Sequence, residues 1–515
     1  MAPRPTAAAL PHVDSSREYV SEAHSFGNLK SQAISGGIIS TVAQGGQFVL
    51  LLTSNVLLAR LLSPRDFGLV AMAMTIGGML QIFKEAGLSS ATIQRENITH
   101  AQVSNLFWIN LCVSGTVSLM MAISAPIVAR FFHEPELVKI CLVLSSVFLL
   151  NGLAVQHMAL LNRHLRFATV AMIGVASTAV GVGVGVSMAL LNCGYWSLIG
   201  VALATPALKV VAAWSVWPWR PQAPRRRCGT RSLVSFGADL TLVGIFYSLS
   251  RESDGLLIGR SFGSEAVGLY SRASVLLTRP LEQLIAPLSS VVVPALSRLQ
   301  AQPERYRRIF LQVFEGLAIA GCLFTGLFLP LAEPLTTAIL GQKWQAASPI
   351  FAALTVAALY VPLSSATSWL YISQGRGRDL LLTAVIGACV MVSSFAAGLP
   401  FGPTGVAIAY SVSGAFLQLP LTFHIGGRRG PVSAVDLFTA ATRHLPICAV
   451  VLAATFIANT LSPVASPLNK LLVCAPFGLL AGIVTTFLFP PSRQAATRII
   501  SQLKVALSNP IRVAW

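Results

Sequence analysis

Long apolar stretches alternate with short polar segments from about residue 31 to about residue 490 of this chain. A membrane-spanning helix needs about 20 mostly apolar residues, and fourteen stretches meet that requirement. They lie near 31–58, 66–88, 103–130, 137–160, 168–191, 195–217, 232–258, 265–297, 309–340, 345–373, 380–399, 402–424, 441–461 and 468–490. The pattern predicts an all-α polytopic membrane protein with about fourteen transmembrane helices.

The composition agrees with a protein that lies in the membrane along its whole length. The 515 residues are 54% hydrophobic and 10% charged, with a mean hydropathy of +0.71, whereas about a quarter of the residues in soluble domains are charged. The 8 cysteines never form a CxxC pair, so neither a disulfide framework nor a metal site is indicated. The first 30 residues lack the pattern of a signal peptide, so the first apolar stretch is expected to remain as a helix.

The basic residues are distributed as in an oriented membrane protein. Despite a net charge of +18, they stand singly or in short groups between apolar stretches, whereas a nucleic-acid-binding protein clusters them on one face. If the N-terminus is cytoplasmic, the inside segments hold 25 of the 36 Lys and Arg, and the outside loops hold 7. Because positive charge favours the cytoplasmic side, both termini are predicted to be cytoplasmic, and nucleic acid is not an expected partner.

Two long basic segments divide the fourteen predicted helices into groups of six, six and two. A division of this kind predicts two similar lobes followed by a pair of extra helices. The predicted units are an N-terminal tail (1–30), an N-lobe (31–217), a basic linker (218–231), a C-lobe (232–424), a second linker (425–440), two further helices (441–490) and a C-terminal tail (491–515).

Short sequence matches relate the two six-helix groups. "LLARLLSPRDFGLV" and "LLIGRSFGSEAVGLY" align Arg60 with Arg260 and Gly68 with Gly268 at an offset of 200. "NRHLRFATVAMIG" and "GRGRDLLLTAVIG" align at an offset of 213. Because the matches fall in equivalent loops on the same side, they indicate a parallel repeat, and transporters with such repeats hold substrate between the two halves.

The segment "LSRESDGLLIGR" places charges inside a predicted span. Arg251 lies nine residues before Arg260, or about 13 Å deep at the rise of an α-helix. A charged side chain costs at least about 2.5 kcal/mol at the bilayer centre, so charges retained there normally face protein or a water-filled cavity. Asp254 is three residues away and lies on the same face, so the two side chains either pair with each other or line a cavity.

The next predicted span carries three more charged candidates. Arg272 lies at about the depth of Arg251, Arg279 follows after seven residues, and Glu282 after three more. The basic groups are interpreted as candidates for binding a phosphate group in a cavity between the lobes, and the acids as their partners. The substrate-cavity candidates are Arg251, Asp254, Arg272, Arg279 and Glu282.

Two acids stand alone in other predicted spans. Asp239 and Glu315 are either proton or sodium carriers or groups that hydrogen-bond to a neighbouring helix. They are the ion-coupling candidates, and no cofactor or metal is expected.

Common catalytic motifs are missing from the sequence. It contains no P-loop, GxGxxG, HExxH or DxD pattern, and no predicted outside loop is long enough to form a domain. A non-enzymatic transporter is therefore favoured, with no catalytic residues.

Two blocks of the sequence resemble a known family. "LSPRDFGLVAMAMTIGGMLQIFKEAGLSSATIQRENITHAQVSNLFWIN" and "LSRESDGLLIGRSFGSEAVGLYSRASVLLTRPLEQLIAPLSSVVVPALSRLQ" are similar to the polysaccharide transport (lipopolysaccharide biosynthesis) proteins. That oligosaccharide flippase family belongs to the multidrug/oligosaccharidyl-lipid/polysaccharide exporter superfamily. Arg251 and Asp254 match its "SR..D..LIGR" pattern, and Tyr270, Ser271 and Arg272 match its "GLYSRA" pattern.

The resemblance implies a flippase of the bacterial inner membrane. It would move undecaprenyl-diphosphate-linked oligosaccharide units by alternating access for exopolysaccharide, capsule or O-antigen assembly. A polysaccharide polymerase and a chain-length regulator are its implied partners. The alternatives are a cation-coupled multidrug exporter of the same superfamily, a membrane glycan polymerase or ligase, and a scaffold without transport activity.

Overall fold

Helices form nearly all of the part of the chain that the computed structural model describes, which is residues 26–81, 92, 98–224, 231–464 and 466–508. Within these ranges there is no strand. The helices of the first half are α1 (Phe26–Leu61), α2 (Pro64–Gln81), α3 (His100–Phe132), α4 (Glu136–Arg163), α5 (Phe167–Leu190) and α6 (Trp196–Val216). The helical run Arg231–Arg298 is broken at Gly263, and its parts are named α7 (231–262) and α8 (264–298).

The later helices follow with short connections. They are α9 (Pro303–Phe328), α10 (Ala332–Leu340), α11 (Ser348–Thr355), α12 (Val361–Ser373), α13 (Gly377–Gly398), α14 (Gly402–Ser413), α15 (Leu419–Gly427), α16 (Ala434–Thr442), α17 (Leu445–Leu461), α18 (Pro467–Leu488) and α19 (Pro490–Ser508). In the described part, 11 helical segments are long and apolar enough to cross a membrane. Two of them, Ser250–Arg298 and Gly377–Gly427, each contain parts of two predicted spans. The prediction of an all-α polytopic membrane protein is confirmed.

The predicted ninth span, 309–340, was wrong at its C-terminal end. The helix α9 ends at Phe328, and α10 is a separate short helix that a 3₁₀ turn, Gln342–Ala347, follows. Pro330 stands between them, and proline lacks the N–H group that a continuing helix requires. The segment after α9 therefore forms a separate short helix and a turn rather than the end of one long helix.

A single glycine replaces the loop expected between the seventh and eighth spans. Gly263 has φ 80° and ψ −174°, a conformation that side chains with a Cβ rarely adopt. The chain therefore changes direction within one residue, and α8 starts at once. Charged residues of α7 and α8 consequently lie on two directly joined helices.

Loops on one side of the bundle include Ser63, His133 and Gly263, and this side is called the Ser63 end. The other side includes His164 and Gly375 and is called the His164 end. At the Ser63 end the family-like "LSPRDFG" motif is a helix start, because the Asp66 carboxylate accepts hydrogen bonds from the Ser63 backbone N–H (2.9 Å) and hydroxyl (2.6 Å). A side chain that binds backbone N–H groups at a helix start fixes where that helix begins.

The largest cluster of buried apolar residues joins helices from both predicted lobes. It includes Leu69 of α2, Leu144 of α4, Ile258 of α7 and Phe351 of α11. The helix α2 packs along α7 and α8, and this contact connects the two halves of the repeat. The division into two six-helix lobes stays a prediction.

Candidate functional site

Three predicted cavity residues meet where α7 and α8 face each other. Glu282 Oε1 lies 3.3 Å from Arg251 Nη2, and Glu282 Oε2 lies 3.4 Å from Arg279 Nη1. The side chains are 55% (Arg251), 59% (Arg279) and 43% (Glu282) exposed. One carboxylate thus holds two guanidiniums from two helices, and we call this group the Glu282 triad.

The triad lies deep along its helices. Arg251 is twelve residues before Gly263 and Arg279 sixteen residues after it, or about 18 Å and 24 Å from the Ser63 end at the rise of an α-helix. The hydrocarbon core is about 30 Å thick. The half-exposed charges are therefore at membrane depth, where they require a water-filled or protein environment.

Arg272 sits between the triad and the Ser63 end. Its Nη1 donates to Asn55 Oδ1 of α1 at 2.7 Å, and its guanidinium lies over the Phe67 ring of α2, 4.7 Å from the ring centroid. Its Nε is buried and has no hydrogen-bond partner among the described residues. Arg272 thus joins three helices and retains a buried donor.

The Arg251–Asp254 pair that the i, i+3 spacing suggested is not formed. Arg251 pairs with Glu282 of the following helix, while Asp254 Oδ1 accepts a hydrogen bond from the backbone N–H of Gly255 at 2.6 Å. The spacing within one helix allowed a pair, but the junction at Gly263 brings α8 close enough for Glu282 to take its place. Asp254 therefore does not take the place of Glu282, although it lies within electrostatic range of Arg251.

The ion-coupling candidate Glu315 is not alone. Its Oε1 accepts from Arg443 Nη1 at 3.2 Å, with the Glu315 side chain 14% exposed. Nearer the His164 end, Arg307 of α9 binds Asp436 of α16 through two nitrogens, at 2.9 and 2.5 Å. Both ion pairs connect α9 to α16 or to Arg443, which directly follows α16. The geometry therefore favours the interpretation of Glu315 as a group that binds a neighbouring helix. The side chain of Asp239, the other ion-coupling candidate, lies outside the described residues.

Glu252 and Asn55 lie beside the predicted site residues but were not among the predicted candidates. The Glu252 carboxylate packs on α2 at Gly78, where an added Cβ would lie 3.0 Å from Glu252 Oε1. Asn55 positions Arg272, and its own Nδ2 is held by the Leu51 carbonyl at 2.8 Å. A polar side chain within an apolar span was the available signal for both residues.

The repeat-related glycines meet at the Ser63 end. A Cβ added at Gly68 would lie 1.6 Å from the Ser264 carbonyl oxygen, and one added at Gly268 would lie 1.9 Å from the Pro64 carbonyl oxygen. Each added Cβ would also lie 3.1 Å from the backbone nitrogen of the other glycine. The contact is reciprocal, as expected when two related surfaces meet across a twofold axis, and it presses α2 directly against α8.

Repeat-related arginines flank this glycine contact. Arg60, at the end of α1, donates to the Ala338 carbonyl of α10 at 2.5 Å. Arg260, near the end of α7, donates to the His133 imidazole after α3 at 2.9 Å. Each arginine reaches from its own half of the repeat to the other half.

A buried tryptophan completes the closure at the Ser63 end. Trp344 is 0% exposed, and its Nε1 donates to the Ala59 carbonyl at 2.8 Å. Its ring packs edge-on against Phe67, with 5.3 Å between the ring centroids. These contacts close the bundle at the Ser63 end, between that surface and the deeper Arg272 and Glu282 triad.

Metal ligands are not assembled in the described ranges, since no group of three His, Cys, Asp or Glu side chains there could hold a metal ion. The chemistry available at the site is the binding of an anion by guanidinium groups, which form paired hydrogen bonds with phosphate and carboxylate oxygens.

Solved structures with a similar fold are membrane transporters. "Lipid II flippase MurJ, inward closed conformation" aligns with a TM-score of 0.69 at 14% identity, over 88% of this chain and 98% of that chain. An inward-facing multidrug resistance transporter of the MATE family aligns with a TM-score of 0.52 at 17% identity, over 79% of this chain and 95% of that chain. At these identities the likeness shows a shared fold.

Curated relatives carry names from polysaccharide biosynthesis. The chain is 27% identical over 300 residues to the teichuronic acid biosynthesis protein TuaB of Bacillus subtilis, covering 58% of this chain and 62% of TuaB. It is 26% identical over 363 residues to the succinoglycan biosynthesis transport protein ExoT of Rhizobium meliloti, covering 70% of this chain and 73% of ExoT. It is also 23% identical to the lipopolysaccharide biosynthesis protein WzxC of Escherichia coli, covering 68% of this chain and 71% of WzxC.

The family match covers both the closed Ser63 end and the arginines below it. Residues 57–349 match the family described as polysaccharide biosynthesis protein, and that range is more than half of the 515 residues. This chain belongs to the polysaccharide biosynthesis protein family.

Proposed function

We propose that this chain moves a lipid-linked oligosaccharide, joined to its lipid through a diphosphate, across the bacterial inner membrane. Its family, the transport function in the name of its relative ExoT and the fold that it shares with a lipid II flippase support this function. The oligosaccharide would serve exopolysaccharide, capsule or O-antigen assembly, with a polymerase and a chain-length regulator as partners.

The observation that carries the proposal is the pair of half-exposed arginines at membrane depth. From Arg279 onward, α8 is mostly exposed, whereas the part before it is mostly covered by other helices. A surface not covered by protein faces either lipid or water at this depth. Because ionised side chains are very unfavourable in hydrocarbon, the exposed face with Arg279 and Glu282 is assigned to a water-filled cavity.

The cavity is assigned an opening toward the cytoplasm. The charge bias predicts that the Ser63 end is periplasmic, and that end is closed by the Gly68–Gly268 contact and the two arginines beside it. The substrate would enter from the cytoplasmic leaflet, bind its diphosphate at the arginines, and leave after α2 and α8 separate. This sequence of steps is alternating access without ATP hydrolysis.

Transport in proteoliposomes tests the proposal. With an undecaprenyl-diphosphate-linked oligosaccharide, Arg272→Ala and Arg279→Ala are expected to lower the rate by at least about tenfold, since each removes a charged partner of the diphosphate. Arg130→Ala is the matched control, because Arg130 is exposed at the Ser63 end away from the site. Wild-type rates in the two site variants at normal protein levels would contradict the proposal.

A cation-coupled drug exporter is the alternative, because a MATE transporter has the same fold. A deletion strain distinguishes the two functions. The flippase predicts lipid-linked sugar trapped in the cytoplasmic leaflet with unchanged drug susceptibility, and the exporter predicts drug sensitivity with normal polysaccharide.

A further inference from the structure

Glu282 contacts Arg251 and Arg279, the two half-exposed arginines among those that the proposed function assigns to the substrate. Its two oxygens each face a different guanidinium, Oε1 toward Arg251 and Oε2 toward Arg279. A phosphate group also presents several oxygens to guanidiniums, and carboxylate and phosphate form the same kind of hydrogen bond with arginine. The carboxylate therefore marks a position where a phosphate oxygen of the substrate would bind.

The contacts of Glu282 are suited to exchange. Charge-assisted N–H···O bonds are commonly about 2.7–2.9 Å long, whereas those of Glu282 measure 3.3 and 3.4 Å. All three side chains are partly exposed, and exposed ion pairs have a low net stability because water competes for both partners. The triad thus brings two arginines close together through weak ion pairs that another anion can replace.

We propose that Glu282 is an internal competitor of the substrate. In the empty cavity its carboxylate positions Arg251 and Arg279 and offsets one of their two positive charges. The substrate diphosphate displaces it, and its return helps to expel the diphosphate on the far side of the membrane. This role rests on the proposed function and assigns to Glu282 the control of affinity and release.

The competitor role makes a prediction that a purely structural role does not. Glu282→Gln keeps the size and the hydrogen-bonding oxygen of the side chain but removes its charge. It is therefore expected to bind a diphosphate lipid more tightly, by about tenfold within the usual range of site coupling, and to release it more slowly. If Glu282 only positioned the arginines, the same change would weaken binding.

Binding is measured on the full-length protein in nanodiscs with undecaprenyl diphosphate as the probe. Parallel titrations with undecaprenyl monophosphate and inorganic diphosphate distinguish recognition of the diphosphate from recognition of the lipid. Glu265→Gln is the matched control, because Glu265 is an exposed residue on the same helix but at the Ser63 end. Tighter binding by Glu282→Gln, slower flipping in proteoliposomes and an unchanged control support the proposal.

The outcomes separate this inference from the proposed function. Unchanged or weaker binding by Glu282→Gln overturns the competitor role. An Arg251→Ala/Arg279→Ala double variant that binds the probe as well as wild type instead overturns the assignment of the site. If Glu282→Gln does not fold, Glu282→Asp withdraws the carboxylate by one methylene, and a smaller gain in affinity is expected. A loss of affinity in that variant also overturns the competitor role.

Discussion

The contact between Gly68 and Gly268 predicts that one added methyl group shifts the protein toward opening at the Ser63 end. In Gly68→Ala the new Cβ would lie 1.6 Å from the Ser264 carbonyl oxygen. Atoms of this kind essentially never approach within 3.0 Å, so the two backbones must separate by at least 1.4 Å. A backbone carbonyl oxygen in the first turn of a packed helix cannot rotate away as a flexible side chain can. The helices α2 and α8 must therefore move apart as rigid units.

The magnitude follows from the cost of overpacking. Forcing extra volume into a well-packed contact costs about 1–3 kcal/mol. If the open state relieves that strain, the ratio of open to closed molecules rises by about 5- to 150-fold. Gly268→Ala, which meets the Pro64 carbonyl oxygen at 1.9 Å, is expected to have an effect in the same direction.

Distance measurements across the Ser63 end provide the assay. Spin labels introduced through unnatural amino acids at Arg130 and Lys343, both exposed there, leave the native cysteines in place. Double electron–electron resonance should then show a new population at longer distance in Gly68→Ala. Gly77→Ala is the control on the same helix, because its added Cβ meets only a Phe148 carbon at an ordinary 3.6 Å.

Two results would refute this reasoning. A folded Gly68→Ala protein with the wild-type distance distribution would show that the closed end absorbs the methyl group without opening. A long-distance population of equal size in Gly77→Ala would show that alanine substitution in α2, rather than the glycine contact, causes the change.

Three further predictions concern the ion pairs and Arg272. Asp436→Ala removes the clamp on α16 and the acidic half of its capping box with Ser433, so it should lower the free energy of unfolding by about 1 kcal/mol, seen as a lower melting temperature than that of the exposed control Arg308→Ala. Because Glu315 is held by Arg443, Glu315→Gln should reduce thermal stability while transport per folded molecule stays at the wild-type rate both with and without a proton gradient; an altered response to the gradient would restore Glu315 as a coupling residue. Arg272→Lys keeps the charge but loses the planar guanidinium, so flipping per folded molecule in proteoliposomes should fall by about tenfold, and the melting temperature should also fall because the contacts with Asn55 and Phe67 are weakened.

The helices were predictable because their signal is local. Membrane spans require long apolar stretches whatever their partners are, and the spans predicted around residues 103–130 and 137–160 fall on α3 and α4. The junction at Gly263 was not predictable to the same degree. One glycine in a short polar segment between two apolar stretches does not distinguish a short loop from a sharp break between two joined helices.

The candidate site was predictable in its residues but not in its pairing. Depth along a helix placed Arg272 level with Arg251, because depth depends on the count of residues alone, and the spacing of seven residues placed Arg279 on the same stripe as Arg272. The partner of Arg251 depends on how α7 and α8 are joined, and spacing within one helix pointed to Asp254 instead of Glu282. Glu315 stood alone in the sequence for the same reason, since Arg443 comes from a distant helix.

The closed end and the binding residues are linked through α8 itself. Gly268 and Arg272 are four residues apart and thus lie on one face of this helix, while their partners on α2, Gly68 and Phe67, are adjacent in sequence. When α8 moves away from α2 at the glycine contact, it must also draw Arg272 away from the Phe67 ring. Opening toward the predicted periplasm and rearrangement of the arginines are therefore one movement of a single helix, which provides a direct physical route from gate opening to substrate release.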